Sequence, residues 1–264
     1  MPPEAPLEPP AGLQHLFSPE GDVAMSQALA QRPLLAFDFD GTLAPIVPHP
    51  DDARIAPAVA ERLQALMRRL PVAIVTGRAV DDVRGRLGFE PSYVVGSHGA
   101  EDALDPQASA AYAQALDALR TLLRVQRPAL DECGVWVEDK RQSIALHYRQ
   151  SPERERAQAL ILELLSWRED EVLRIFPGKM VVNVMAREAP DKAHAMQALV
   201  ARSGVRCALF AGDDVNDEPV FISAPPHWLT VRIGRDARPT QARFYLDSPA
   251  ETALMLERLL ARLA

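Results

Sequence analysis

Cysteine is almost missing from this chain of 264 residues. The two present, Cys133 and Cys207, lie far apart and form no metal-type pair. That argues against a disulfide framework and fits a reducing, cytoplasmic setting. Cys207, beside an expected core strand, reads as a small buried hydrophobe. Clustered His or Cys ligands of the kind a zinc hydrolase needs are also missing. So is the G-x-x-x-x-G-K-[ST] loop of P-loop NTPases. No apolar run is long enough to span a bilayer, and the first residues lack the basic start and apolar stretch of a secretory signal. Positive charge is not in excess either. The net charge of −7 argues against a nucleic-acid-binding surface. It leaves room for an anionic small molecule, because a few local cations and a metal can outweigh the global sign. A monomer without nucleic-acid or membrane partners is expected.

What is present is a hydrophobic share of 48% and a charged share of 25%, enough at this length for one large or two modest domains with a real core. The most informative stretch is Leu34-Leu35-Ala36-Phe37-Asp38-Phe39-Asp40-Gly41-Thr42-Leu43. Its apolar run is too short for a helix of ordinary length and reads as a buried strand. Residues i and i+2 of an extended segment point the same way, so Asp38 and Asp40 are expected to project together while Phe37 and Phe39 pack inward. Gly41 lets the chain turn sharply. Two carboxylates at the carboxyl end of a strand suit a hard cation such as Mg²⁺ and a phosphorylated substrate.

Three partners follow in order. Val72-Ala73-Ile74-Val75-Thr76-Gly77-Arg78 is a second apolar run, ending in a hydroxyl, a glycine and a cation. Asp191-Lys192 opens an amphipathic stretch. Ala208 to Ala211 leads into the acids of Gly212-Asp213-Asp214-Val215-Asn216-Asp217-Glu218. The spacing between them predicts strand–helix alternation: helices over Ala56–Leu70, Asp81–Leu87 and Pro190–Arg202, and strands over Tyr93–Gly96, Cys207–Ala211 and Leu229–Ile233. A last helix is expected to start at Ser248-Pro249-Ala250-Glu251, which reads as a capping box. This pattern argues for a parallel sheet covered on both faces.

Between about 104 and 186 the pattern changes. A long helix is expected over Ser109–Arg127, paired strands over Val135–Lys140 and Ser143–Arg149, and a helix over Pro152–Trp167. A second hairpin is expected over Val172–Phe176 and Lys179–Met185, turning at Pro177-Gly178. The expected architecture is therefore an α/β Rossmann-like core, residues 31–103 and 187–264, interrupted by an inserted α+β cap domain, residues 104–186. Residues 1–30 read as a flexible tail, with a short helix over Val23–Gln31. In the cap strands Glu138 and Lys140 share a face, as do His147 and Arg149, and Lys179 and Asn183. Each strand thus has one apolar and one polar face.

The four motifs together resemble the signature of the haloacid dehalogenase-like phosphohydrolases. Gly96-Ser97-His98-Gly99-Ala100-Glu101, Val137-Glu138-Asp139-Lys140, Leu146-His147-Tyr148-Arg149, Gly178-Lys179 and the acidic loop resemble the trehalose-6-phosphate phosphatases within that superfamily. The resemblance implies Asp38 as nucleophile and Asp40 as general acid and base. It implies Thr76 as hydroxyl donor to phosphate and Lys192 as the cation stabilising Asp38. Mg²⁺ would sit against Asp38, the Asp40 backbone carbonyl and Asp213. Arg78, His98, Glu101, Glu138, Lys140, His147, Arg149, Lys179 and Asn183 would line the sugar cleft beneath a closing cap. Asn183 stands where the family usually has a glutamate; it keeps an acceptor and loses the charge. Asn216 and Ala193 also depart from the usual threonine and glycine. The reaction implied is hydrolysis of trehalose 6-phosphate, the alternatives being another glycosyl phosphate such as mannosyl-3-phosphoglycerate, or a non-catalytic sugar-phosphate sensor.

Overall fold

The computed structural model describes residues 12–166, 172–235 and 238–263. In chain order its elements are β1 (Gln14–His15), α1 (Pro19–Ala30), β2 (Leu34–Phe37), α2 (Pro57–Met67), β3 (Val72–Val75), α3 (Val80–Leu87), β4 (Tyr93–Gly96) and β5 (Glu101–Asp102). Then come α4 (Pro106–Ala115), α5 (Asp117–Val125), α6 (Arg127–Glu132), β6 (Trp136–Asp139), β7 (Ser143–His147), α7 (Arg154–Leu165), β8 (Leu173–Gly178) and β9 (Val181–Ala186). The chain closes with α8 (Lys192–Ser203), β10 (Ala208–Gly212), α9 (Glu218–Ser223), β11 (Leu229–Ile233), β12 (Phe244–Leu246) and α10 (Pro249–Leu263).

The larger sheet has the order β1-β12-β11-β10-β2-β3-β4-β5. Every pair is parallel except β4–β5. Its central strands are buried along their whole length, so they read as continuous apolar runs, and their alternation sorts side chains between two layers. Leu35, Phe37, Val72, Ile74, Leu209 and Ala211 face one layer, with Met25 of α1, Leu63 of α2 and Met255 of α10. Leu34, Ala36, Ala73, Val75, Ala208 and Phe210 face the other, with Met196 of α8 and Phe221 of α9. The α/β expectation holds, helices on both faces included.

Residues 136–186 supply a separate antiparallel sheet of order β6-β7-β9-β8. Its apolar face, including Ile144, Leu146, Val182 and Val184, is covered by Leu119 and Leu123 of α5, Leu130 of α6 and Ile161 of α7. Its other face looks at the larger sheet's carboxyl edge.

Three expectations need correction. Residues 12–30 are not a tail: β1 pairs with β12, Leu16 and Met25 are buried, and Ser18 caps a helix beginning at Pro19 rather than Val23. The Pro- and Ala-rich composition hid two core side chains; residues 1–11 lie outside those described. The long helix over 109–127 is three helices. The Ala113 carbonyl accepts from Leu116 N–H and from the Arg120 guanidinium, which ends α4, and Pro128, lacking an N–H, sits in the first turn of α6. The second hairpin turns at Lys179-Met180, not Pro177-Gly178. Pro177 is tolerated within β8 because β8 is an edge strand. Trp167, the expected end of α7, lies outside the described residues.

Candidate active site

Asp38 follows β2 at the carboxyl edge of the sheet, its N–H still donating to Ala211 at 2.9 Å. Its carboxylate is buried and faces Lys192, Nζ to Oδ1 3.1 Å. Lys192 is the first residue of α8, after the N-cap Asp191, and is only 2% exposed. The same ammonium donates to Asp217 Oδ1 at 2.7 Å, and Asp217 has no exposed surface at all. Burial alone would favour neutral lysine; the Asp217 and Asp38 carboxylates outweigh it and hold Lys192 above the ordinary lysine range. Burial also raises Asp38 well above the ordinary carboxylate range, against the pull of Lys192.

Asp213, the first residue after β10, completes the floor. Asp38, Asp213 and Asp217 can offer oxygens lying within 4.8 Å of one another. Asp217 is already spent, because its second oxygen accepts from Asp214 N–H at 2.9 Å. Asp38 and Asp213 are the pair with room for a cation. Burial pushes Asp213 up to about 7, opposed by the Lys179 ammonium that reaches from the smaller sheet and ion-pairs with it. An all-oxygen donor set with a cationic group already drawn to it fits a hard divalent ion. The fit requires Gly41: its φ is +77°, and a Cβ there would lie 2.1 Å from Asp213 Oδ2.

Asp40 behaves differently from Asp38, though both line one cleft. β2 ends at Phe37 and the chain turns at once, so the two side chains find separate partners. Both Asp40 oxygens accept from Arg78, at 2.7 and 2.8 Å. Arg78 also donates to Asp82 and to the Pro50 carbonyl, at 2.8 and 2.9 Å. Asp82 in turn pairs with Arg86. Despite burial, the bonds that Arg78 donates to Asp40 and Asp82, with their negative charge, hold its guanidinium above its usual range. Arg78 thus lines the cleft where the sequence placed it, with four of its five guanidinium N–H groups donating to Asp40, Asp82 and Pro50. Glu101 stands apart from the expected cleft lining. Its carboxylate accepts from Val80 N–H at 2.9 Å and from the Ser97 hydroxyl at 3.2 Å, bracing the loop before β5 instead of lining the cleft.

The cleft encloses about 420 Å³. Asp38, Asp40, Thr76, His98, Lys192 and Asp213 line it from the core, and Glu138, Lys140, His147, Arg149, Lys179 and Asn183 from the polar face of the smaller sheet. Thr76 Oγ1 accepts from Arg78 N–H at 3.2 Å, which leaves the hydroxyl proton to be donated elsewhere. His98 sits in a left-handed backbone, φ +58°; burial and then Lys140 and Lys192 lower it well below the usual imidazole range. Glu138 bonds His147 at 2.8 Å and Lys140 at 3.3 Å. Burial would raise Glu138, but these two partners bring it down to about 2. Among the contacts that join the two units are Lys179 to Asp213, Lys140 to the Gly77 carbonyl at 3.0 Å, Arg149 to the Val47 carbonyl at 3.2 Å and the edge-on rings of His98 and Phe176.

Sequence reasoning left open which acid of the loop meets Lys192; Asp217 does, because Asp214 caps a short 3-10 turn that aims Asp217 inward. It missed the 46–51 segment, which lines the cleft without any charged pattern that marks it. It missed Trp136 although strand parity puts Trp136 on the face of Glu138 and Lys140, a signal that could have found it. A second set of potential ligand atoms, His15, Asp247 and Glu251, lies by β1 and β12. These groups already serve one another, and Asp247 pairs with Arg235 at 2.8 Å. Among the described residues no helix is long and apolar enough to cross a membrane.

Comparison with known proteins adds a family. Residues 36–250 match the family described as Trehalose-phosphatase. A trehalose-phosphate phosphatase of Mycobacterium tuberculosis is 35% identical over 248 residues, covering 89% of this chain and 63% of that protein. One of Mycobacterium marinum is 32% identical over 270 residues, covering 97% and 67%. The chain thus spans about two thirds of the length of these relatives. Among solved structures, the C-terminal domain of the C. albicans trehalose-6-phosphate phosphatase superposes with a TM-score of 0.79 at 19% identity, over 97% of this chain and 99% of that one. A haloacid dehalogenase-like hydrolase from B. subtilis superposes with a TM-score of 0.56 at 18% identity, over 86% and 99%. At such identities the structural likeness speaks for the fold alone.

Proposed function

The chain belongs to the trehalose-phosphatase family, and on that premise we propose that it hydrolyses trehalose 6-phosphate to trehalose and phosphate through an aspartyl-phosphate at Asp38. One observation carries the reading: a buried carboxylate, held 3.1 Å from a buried lysine, opens onto a cleft roofed by a polar sheet face.

The chemistry follows from the residues. An oxygen of Asp38 attacks phosphorus as the bond to the sugar oxygen breaks. Asp40 gives its proton to that leaving oxygen, then takes one from the water that attacks phosphorus of the acyl phosphate. Phosphate leaves and Asp38 is restored. To reach the leaving oxygen Asp40 must release at least one Arg78 hydrogen bond. Lys192, fixed by Asp217, orients Asp38 and offsets charge on the transferring group. Thr76 donates its hydroxyl proton to a phosphate oxygen. Mg²⁺ would be held by Asp38, Asp213 and the Asp40 backbone carbonyl, and would supply charge neutralisation that lets an anion approach phosphate. Lys179 would then leave Asp213 for the substrate. Residues 104–186 would act as the cap, its polar groups taking sugar hydroxyls, with Asn183 as an uncharged acceptor.

The test is phosphate release from a panel of sugar phosphates, with Mg²⁺ and with chelator. Trehalose 6-phosphate should be the best substrate and chelator should abolish turnover. Faster turnover of mannosyl-3-phosphoglycerate or another glycosyl phosphate would overturn the substrate assignment. Binding without turnover would favour a sensor.

A further inference from the structure

Trp136 is 46% exposed and lines the cleft. Its ring stacks on His147, centroids 4.8 Å apart and planes 27° from parallel. His147 is its cross-strand partner and is itself pinned by Glu138, so the indole is backed by a fixed plane on one side. Ile46 and Pro48 supply apolar surface to the same cleft. A flat apolar face rimmed by charged hydrogen-bonding groups matches a pyranose ring, which pairs an apolar C–H face with polar edges.

Its place in the sheet says which ring. Trp136, His147, Val181 and Gly178 are successive cross-strand partners. Gly178 adjoins Lys179, which meets Asp213 at the catalytic floor. The Trp136 backbone thus stands three strand spacings, about 14 Å at ordinary spacing, from Gly178 at the hairpin end that reaches Asp213. A phosphate and a single sugar ring anchored at Asp38 do not fill that span.

Resting on the phosphatase reading, we infer that Trp136, stacked on His147, forms a platform for the second, non-reacting sugar ring. It selects disaccharide phosphates over monosaccharide phosphates. Steady-state kinetics with trehalose 6-phosphate and glucose 6-phosphate test this on wild type, Trp136→Ala and Trp136→Phe. Trp136→Ala should lower the ratio of the two kcat/KM values about tenfold, mostly through KM for the disaccharide. Trp136→Phe, which keeps a flat ring, should retain most of the ratio and guards against misfolding of the alanine variant. An unchanged ratio in Trp136→Ala, or equal losses on both substrates in a variant with wild-type circular dichroism, overturns the platform. Failure of the wild-type chain to release phosphate from trehalose 6-phosphate overturns the functional reading, and the platform with it.

Discussion

At the scale of single residues, the site is built by pairing buried charges, and each pairing has a measurable consequence. Glu138 shows this most simply. Its carboxyl is held at about 2 in the folded chain, below the ordinary glutamate value, by His147 and Lys140. A carboxylate whose pKa is depressed on folding adds stability that is full above its unfolded pKa and is lost as pH falls through the folded one. That is at most roughly 3 kcal/mol. Glu138→Gln should therefore melt below wild type above about pH 5, and the gap should shrink as pH falls towards 2. Thermal melts across that range check it; a gap that stays constant or widens in acid would contradict the pairing. The legibility of residues divides along similar lines. Asp38, Lys192 and Asp213 were readable because each directly follows a buried strand or opens a helix. The place of Glu101 was misread because its motif gives position but not partners. Glu101 has donors in Val80 and Ser97, which turn it to the loop and away from the cleft.

At the scale of elements, the loop from β4 to β5 links the cleft to the helix that begins with Lys192. Ser97 and His98 both have positive φ, and Gly99 follows at +115°. A Cβ on Gly99 would lie 2.4 Å from the Asp191 backbone oxygen, at the start of the helix that carries Lys192. Gly99→Ala should cost about 1–3 kcal/mol from backbone strain alone, and should reduce turnover by shifting α8. A urea midpoint and kcat indistinguishable from wild type would refute that coupling. The core strands and helices were legible because burial on both faces leaves continuous apolar runs between glycines and caps. The break of 109–127 was not, since it depends on Arg120 taking a helical carbonyl. Nor was β1, whose two residues pair with a strand that follows them by more than two hundred positions. The shifted hairpin turn shows the limit of a Pro-Gly signal when the proline lies on an edge strand.

At the scale of the whole molecule, two sheets meet across one cleft and divide the work. The parallel sheet brings Asp38, Asp213 and Lys192 together from the ends of two adjacent strands and the start of one helix. The antiparallel sheet contributes a face of cations, amide and indole. Lys179, Lys140 and Arg149 reach across to the core, so the roof and floor share polar contacts even without substrate. This division follows from alternation in both sheets, and was visible in the strand parities of residues 135–149 and 179–184. The central claim is that Asp38 carries the phosphoryl group in transit. Rapid quenching of the chain with radiolabelled trehalose 6-phosphate and Mg²⁺ tests it most directly. A protein-bound, alkali-labile phosphoryl group on the peptide containing Asp38, absent in Asp38→Asn, is the expected result. Release of phosphate with no label on the protein at any time, or turnover by Asp38→Asn near the wild-type rate, would contradict it.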